Sequence, residues 1–187
     1  PLAPATVEAL RAAARNPAPT KVAASGSGKR RRRAYSVAGP GTLYIRLRDA
    51  TLISVLAYSG VRPQEALGLR WSDVRENTLL IERAVAGARI KSTKTAHART
   101  VRLLKPLADD LDEFRFAAGR PRGESLIFPN QSGQPWTKND WDNWRSRNFK
   151  RMLDTVAIED SHPYALRHSF ASLLLHEGRS VHYVAKQ

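Results

Sequence analysis

Arg62, Lys94 and Arg167 are the side chains whose types and neighbours could do chemistry in this chain. Arg167 lies in His162-Pro163-Tyr164-Ala165-Leu166-Arg167-His168-Ser169-Phe170-Ala171-Ser172, which reads as a helix entered through Pro163 and stopped by Gly178. Helical spacing puts Tyr164, Arg167, His168 and Ala171 on one face and Leu166, Phe170, Leu173 and Leu174 on another. The polar face thus carries a phenol, a guanidinium and an imidazole, and a guanidinium fork matches a phosphate. Arg62 precedes Pro63-Gln64-Glu65, so it stands at the edge of a helix N-terminus, where free N–H groups and the positive dipole end favour an anion. Glu65, three residues on, is placed to hold the Arg62 side chain through a charge-assisted hydrogen bond. Lys94 falls on the tip Lys94-Thr95-Ala96-His97-Ala98-Arg99, where a lysine can be delivered to a substrate as a proton donor. Each has a plainer reading: a solvated helix arginine, a surface ion pair, an idle turn lysine.

The elements that must position these groups follow from periodicity and turn residues. Residues 1–16 read as a helix capped by Thr6, with Val7, Leu10 and Ala14 on its apolar side. Residues 17–41 are dense in Pro, Gly and Ser and predict a flexible loop without regular structure, around the run Lys29, Arg30, Arg31, Arg32, Arg33. That run is either a solvated loop or a sequence-independent phosphate contact, and both can hold. Residues 44–59 form a helix with Leu47, Ala50, Ile53, Leu56 and Ala57 inward, stopped by Gly60. Residues 78–85, 88–92 and 100–103 are strands, the first two joined by a turn at Ala86-Gly87. Helices follow at 105–119 and, from a Thr137/Asp140 capping box, to about Thr155. An extended piece at Ser125–Phe128 lies between those two helices. The second helix carries Arg145, Arg147, Lys150 and Arg151 on a face suited to a nucleic-acid backbone. Ser180 caps a last helix in which the chain ends. The expected class is α+β, mainly α-helical, with a small three-stranded antiparallel sheet, as one domain over residues 1–187.

Composition narrows the partner. The chain of 187 residues has 31 Lys and Arg against 17 Asp and Glu, a formal charge of +14, which points to an anionic polymer. No run of eighteen apolar residues and no signal peptide are present, so no membrane partner is expected, and the cytoplasm is the expected compartment. Cysteine is absent, which excludes disulfides and thiolate metal sites, and no paired carboxylates suggest a metal-dependent nuclease.

Three islands then line up: Gly60-Val61-Arg62-Pro63-Gln64-Glu65-Ala66-Leu67, continued by Leu69-Arg70-Trp71-Ser72-Asp73-Val74; Lys94–Arg99; and Tyr164–Ser172. In this order they resemble the catalytic domain of the tyrosine recombinases, the phage-integrase family. The resemblance implies that fold and site-specific recombination of double-stranded DNA by strand cleavage and rejoining. A tyrosine attacks the scissile phosphate, leaving a 3′-phosphotyrosyl link and a free 5′-hydroxyl, with no metal or other cofactor. It implies catalytic roles for Arg62 and Arg167 as a clamp on the non-bridging oxygens, for Lys94 as the acid protonating the leaving oxygen, and for Tyr164, where the family most often has His. Glu65 and His168 fall at supporting positions. Lys29–Arg33, Arg99, Arg145 and Lys150 are expected to meet the DNA. The resemblance also implies assembly with other recombinase protomers, a tetramer on DNA, in a bacterial nucleoid or phage setting. The nucleophile is expected beyond residue 187, since Tyr164 and Tyr183 stand at the wrong positions. The rival expectation is a non-catalytic DNA-binding module on the same fold.

Overall fold

The computed structural model describes residues 1–16, 20–22, 35–37, 43–92, 98–176 and 178–186. Its centre is α2 (Leu43–Ser59), an apolar helix buried on nearly every side: Leu47, Ala50, Leu52, Ile53, Val55 and Leu56 are all inaccessible or nearly so. A helix apolar all round must lie inside other elements rather than on them. Here α1 (Pro4–Arg15), α4 (Lys105–Ala117) and α7 (Tyr164–His176) pack against it. The expected inward set of α2 is therefore correct but incomplete.

α1 presents Val7, Leu10, Ala13 and Ala14 to this core. Its cap is not Thr6: Ala3 is the cap residue, and the helix starts at Pro4, whose missing N–H suits the first position. Asp110 of α4, 2% exposed, ties three helices together. Its carboxylate accepts from Arg11 Nη2 at 2.7 Å and Arg15 Nη2 at 2.5 Å on α1, and from the Ser54 hydroxyl on α2.

The segment over residues 17–41 holds a short antiparallel pair, β1 (Thr20–Val22) with β2 (Tyr35–Val37), where no regular structure was expected. Pro and Gly punctuate this stretch but leave Thr20–Val22 and Tyr35–Val37 free to pair. Lys29, Arg30, Arg31, Arg32 and Arg33 lie outside the described residues.

The remaining strands differ from a single three-stranded sheet. The first expected strand is interrupted at Glu82, giving β3 (Thr78–Ile81) and β4 (Arg83–Ala86). β3 pairs with β6 (Arg99–Arg102), Ile81 opposite Arg99, while β4 pairs with β5 (Arg89–Ser92), Arg83 opposite Ser92. Two antiparallel ladders thus share one interrupted strand. β4 lies against α3 (Pro63–Leu67), whose C-cap Gly68 sits so close that a Cβ there would come within 3.1 Å of the Arg83 carbonyl. The β4–β5 turn is Gly87–Ala88, both with positive φ (58° and 62°), the primed hairpin geometry that follows strand twist.

The expected helix from Thr137 is one helical run in three parts: α5 (Lys138–Asn143), a π-helical segment Trp144–Phe149, and α6 (Lys150–Thr155). The capping box is present, Asp140 N donating to Thr137 Oγ1 at 3.1 Å and Thr137 N to Asp140 Oδ2 at 2.8 Å. Trp136, Trp141, Trp144 and Phe149 form a continuous aromatic cluster at its base, and Trp144 Nε1 donates to the buried Asp49 at 3.1 Å. α7 ends as expected at Gly178 (φ 80°), where Gly178 N and Arg179 N bond back to the carbonyls of Leu175 and Leu174. α8 (Val181–Lys186) follows Ser180.

Candidate active site

The site is built on the elbow between α2 and α3. α2 ends at Ser59, and Gly60 takes a left-handed conformation (φ 62°) that turns the chain away from the helix axis. Two residues later Arg62 becomes the N-cap of α3, with Pro63 at the first helical position. Glu65 returns its carboxylate to the Arg62 backbone N–H (2.9 Å) and to Arg62 Nη1 (3.2 Å), so one acid fixes both ends of the arginine. The Arg62 side chain remains 58% exposed, whereas Glu65 is 4% exposed. The arginine is held at its root and open to solvent at its tip.

Arg167 reaches the same elbow from α7. Leu166 and Phe170 anchor that helix in the core, and Arg167 Nη1 donates to the Gly60 carbonyl. The Phe170 ring occupies the place where a Gly60 side chain would be: a Cβ there would lie 2.3 Å from Phe170 Cδ1. One backbone turn therefore carries Arg62 directly and receives Arg167 through its carbonyl. Tyr164, one turn before Arg167, donates its hydroxyl to Gln64 Oε1 at 3.2 Å, a second link between α7 and α3.

The electrostatics at the elbow are set by three guanidinium groups around one buried acid. The Arg167 guanidinium lies below its ordinary pKa, because burial disfavours its charge and Arg62 and Arg99 add like-charge repulsion that Glu65 only partly offsets. An anion placed there would relieve that repulsion. Burial pushes the Glu65 carboxyl up, but hydrogen bonds from Arg99 and the Arg62 backbone, with the charges of both arginines, outweigh it and hold the group below the usual carboxylate range.

Arg62, Glu65, Tyr164 and Arg167 thus come together, as their motifs predict. Lys94 lies outside the described residues. Arg99, expected to meet the DNA, gives Nη1 and Nη2 to the two Glu65 oxygens at 3.1 and 2.8 Å and is 22% exposed. His168, expected at a supporting position on the face of Arg167, is exposed. Arg145 and Lys150 are half exposed, on the helical run opposite its aromatic side, and pair with Asp142 (3.7 Å) and Asp154 (2.9 Å). Two contributors were not singled out from sequence. Gly60 was read only as a helix stop, and Gln64 carries no signal beyond its place beside Arg62. Among the described residues no group of His, Asp and Glu is arranged to hold a metal ion, and no helix is long and apolar enough to cross a membrane.

The chain is similar to known proteins in both sequence and fold. The sequence model of the phage integrase family matches residues 40–187. The tyrosine recombinase XerD of Corynebacterium glutamicum is 31% identical over 143 residues, 75% of this chain and 43% of the relative. XerD of Proteus mirabilis is 27% identical over 149 residues, again 75% of this chain and 43% of the relative. The chain therefore spans under half the length of these curated relatives. Among solved structures, the Tn1549 transposon integrase in complex with a circular intermediate DNA superposes with a TM-score of 0.70 at 17% identity, covering all of this chain and 56% of that one. XerH site-specific recombinase bound to its difH substrate in a pre-cleavage complex gives 0.65 at 20% identity, covering 99% of this chain and 45% of that one. These likenesses show the tyrosine recombinase catalytic-domain fold. With the family model covering most of its length, the chain belongs to the phage integrase family of tyrosine recombinases.

Proposed function

We propose that this chain is the phosphate-gripping part of a site-specific DNA recombinase that cuts and rejoins double-stranded DNA through a 3′-phosphotyrosyl intermediate. The observation that carries the reading is the convergence of Arg62 and Arg167 on the Gly60 elbow, with a like-charge repulsion that an anion would relieve. Phosphoryl transfer needs charge stabilisation at the equatorial oxygens and a proton for the leaving oxygen. Arg62 and Arg167 supply the first. Lys94, by its motif position, supplies the second: it protonates the 5′-oxygen as the P–O bond breaks and the tyrosine oxygen bonds to phosphorus. Tyr164 is assigned to donating a hydrogen bond to the phosphate, in exchange for its bond to Gln64, rather than to attack, because it shares the helix face of Arg167 and in-line attack requires the side opposite the leaving oxygen.

The partners under this reading are duplex DNA and further recombinase protomers, a tetramer on DNA, acting in the bacterial cytoplasm where the DNA lies. Lys29–Arg33, Arg145 and Lys150 are assigned to the DNA backbone, and the +14 charge supports a broad electrostatic footprint. No metal or nucleotide is called for.

The test uses the whole gene product with nicked duplexes tiled from the DNA flanking its own gene, followed by denaturing electrophoresis. Covalent protein–DNA bands are expected. Arg62→Ala and Arg167→Ala should each slow band formation about a hundred-fold or more while keeping most of the DNA affinity, which is spread over many cations. Near wild-type cleavage by either variant rules out its clamp role. DNA retention without any covalent band favours the binding module.

A further inference from the structure

Arg99 enters the arginine cluster from a strand. It opens β6, opposite Ile81 at the end of the β3–β6 ladder, and projects onto Glu65 of α3. The contact is bidentate, Nη1 to Oε1 at 3.1 Å and Nη2 to Oε2 at 2.8 Å. Parallel bonds of this kind fix orientation as well as distance. Glu65 in turn holds the Arg62 backbone and guanidinium. The chain of contacts runs β6 to α3 to the arginine, with the acid 4% exposed in the middle.

We propose that Arg99 is a positioning residue, which holds Glu65 in the orientation that orders Arg62, and that it does not itself meet the DNA backbone. The proposal rests on the reading of Arg62 as a phosphate ligand. Exposure separates the two arginines: the Arg62 side chain is 58% exposed and the Arg99 side chain 22%, its fork turned to the buried acid. A second unit in the same fold has the same layout. Arg70 caps the 3-10 turn Trp71–Asp73, Asp73 accepts the Arg70 backbone N–H at 2.8 Å, and a strand arginine, Arg83 of β4, meets Asp73 at 2.5 Å. In both units an acid three residues after a capping arginine is oriented by a second arginine from the sheet.

Removing Arg99 leaves Glu65 buried, with Arg62 before α3 and Arg167 on α7 as the charges facing it. The largest influence on its carboxyl is burial, which favours the protonated form, and Arg99 is the foremost opposing one. The Glu65 titration midpoint should therefore rise when Arg99 is lost.

Two measurements on the chain test the proposal. The first is affinity for a non-specific duplex across a salt series. A lost phosphate contact lowers the slope of log affinity against log salt by about one. Arg99→Ala should leave the slope unchanged, and a drop of about one would overturn the proposal. Arg62→Ala run alongside should lower it, and its failure to do so would count against the phosphate reading of Arg62 while leaving the Arg99 result readable. The second is NMR titration of the Glu65 carboxyl. The midpoint should rise in Arg99→Ala and rise less in Arg99→Lys, which keeps a charge but not the fork. An unchanged midpoint in both variants would overturn the proposal. In the whole gene product, the Arg99→Ala cleavage rate should fall further relative to wild type as the pH is lowered toward the ordinary carboxylate range than it does at neutrality. An equal loss at both would assign Arg99 a role other than orienting Glu65.

Discussion

At Gly60 two demands meet on one residue: a positive φ and a space filled by the Phe170 ring. Gly60→Ala adds a Cβ 2.3 Å from Phe170 Cδ1 in a conformation that costs an L-residue roughly 1–2 kcal/mol, and overpacking adds a comparable amount. A loss of about 3 kcal/mol in urea denaturation is expected. Adding Phe170→Leu should return part of it, because only the packing share depends on the ring. Arg62, Glu65 and Arg167 were legible in sequence because each sits in a short motif whose spacing decides its helix position. The Gly60–Arg167 bond was not, because its acceptor is a backbone carbonyl and its partners are 107 residues apart. Arg99 was legible only as a cation near a hairpin tip. Its turn toward Glu65 depends on where the β3–β6 ladder lies against α3, which no local pattern encodes.

Helices were easier to read than strands. α4 and α7 carry periodic stripes and α2 a long apolar run, and each is followed by a glycine stop, so their existence and limits follow from pattern. The interruption at Glu82 has no such signal, since the charged pair Glu82-Arg83 fits a strand that keeps one neighbour as well as one that changes partner midway. The same holds for the π-helical turn at Trp144–Phe149, which an α-helical spacing describes almost as well. The β4–β5 turn makes a testable case. Ala88 holds a φ of 62° that alanine tolerates poorly and asparagine tolerates well. Ala88→Asn should stabilise the protein by about 0.5–1 kcal/mol, a rise of roughly 1–4 °C in Tm by calorimetry for a chain of this size.

Across the whole molecule, α1, α2 and α4 are joined through the Asp110 carboxylate as well as by apolar packing. Asp110→Ala strips a buried partner from Arg11 and Arg15, but each keeps a second acid, Glu8 and Glu113, at the more exposed rim. The loss should therefore sit at the low end for a broken buried pair, about 3 kcal/mol, read as the shift in urea midpoint. Asp110 and Glu65 also govern acid behaviour. Burial pushes both carboxyls up, but hydrogen bonds from Ser54, Arg11 and Arg15 to Asp110, and from Arg99 and Arg62 to Glu65, hold both below their unfolded values of 3.8 and 4.5. Their contribution is complete above those values and lost as pH falls through the lower folded ones. Stability should hold from neutrality to roughly pH 5 and then fall, and the fall should be shallower in Glu65→Gln with Asp110→Ala. The distance along the chain between Gly60 and Arg167 has a further consequence, which belongs to time rather than space. Arg167 follows Gly60 by 107 residues, and synthesis at ~5–20 residues per second separates them by roughly 5 to 20 s. Throughout that interval the emerging polypeptide carries Arg62 and its helix without the second guanidinium. The bond from Arg167 to the Gly60 carbonyl, and with it the meeting of the two guanidinium groups, forms only after α7 has left the ribosome.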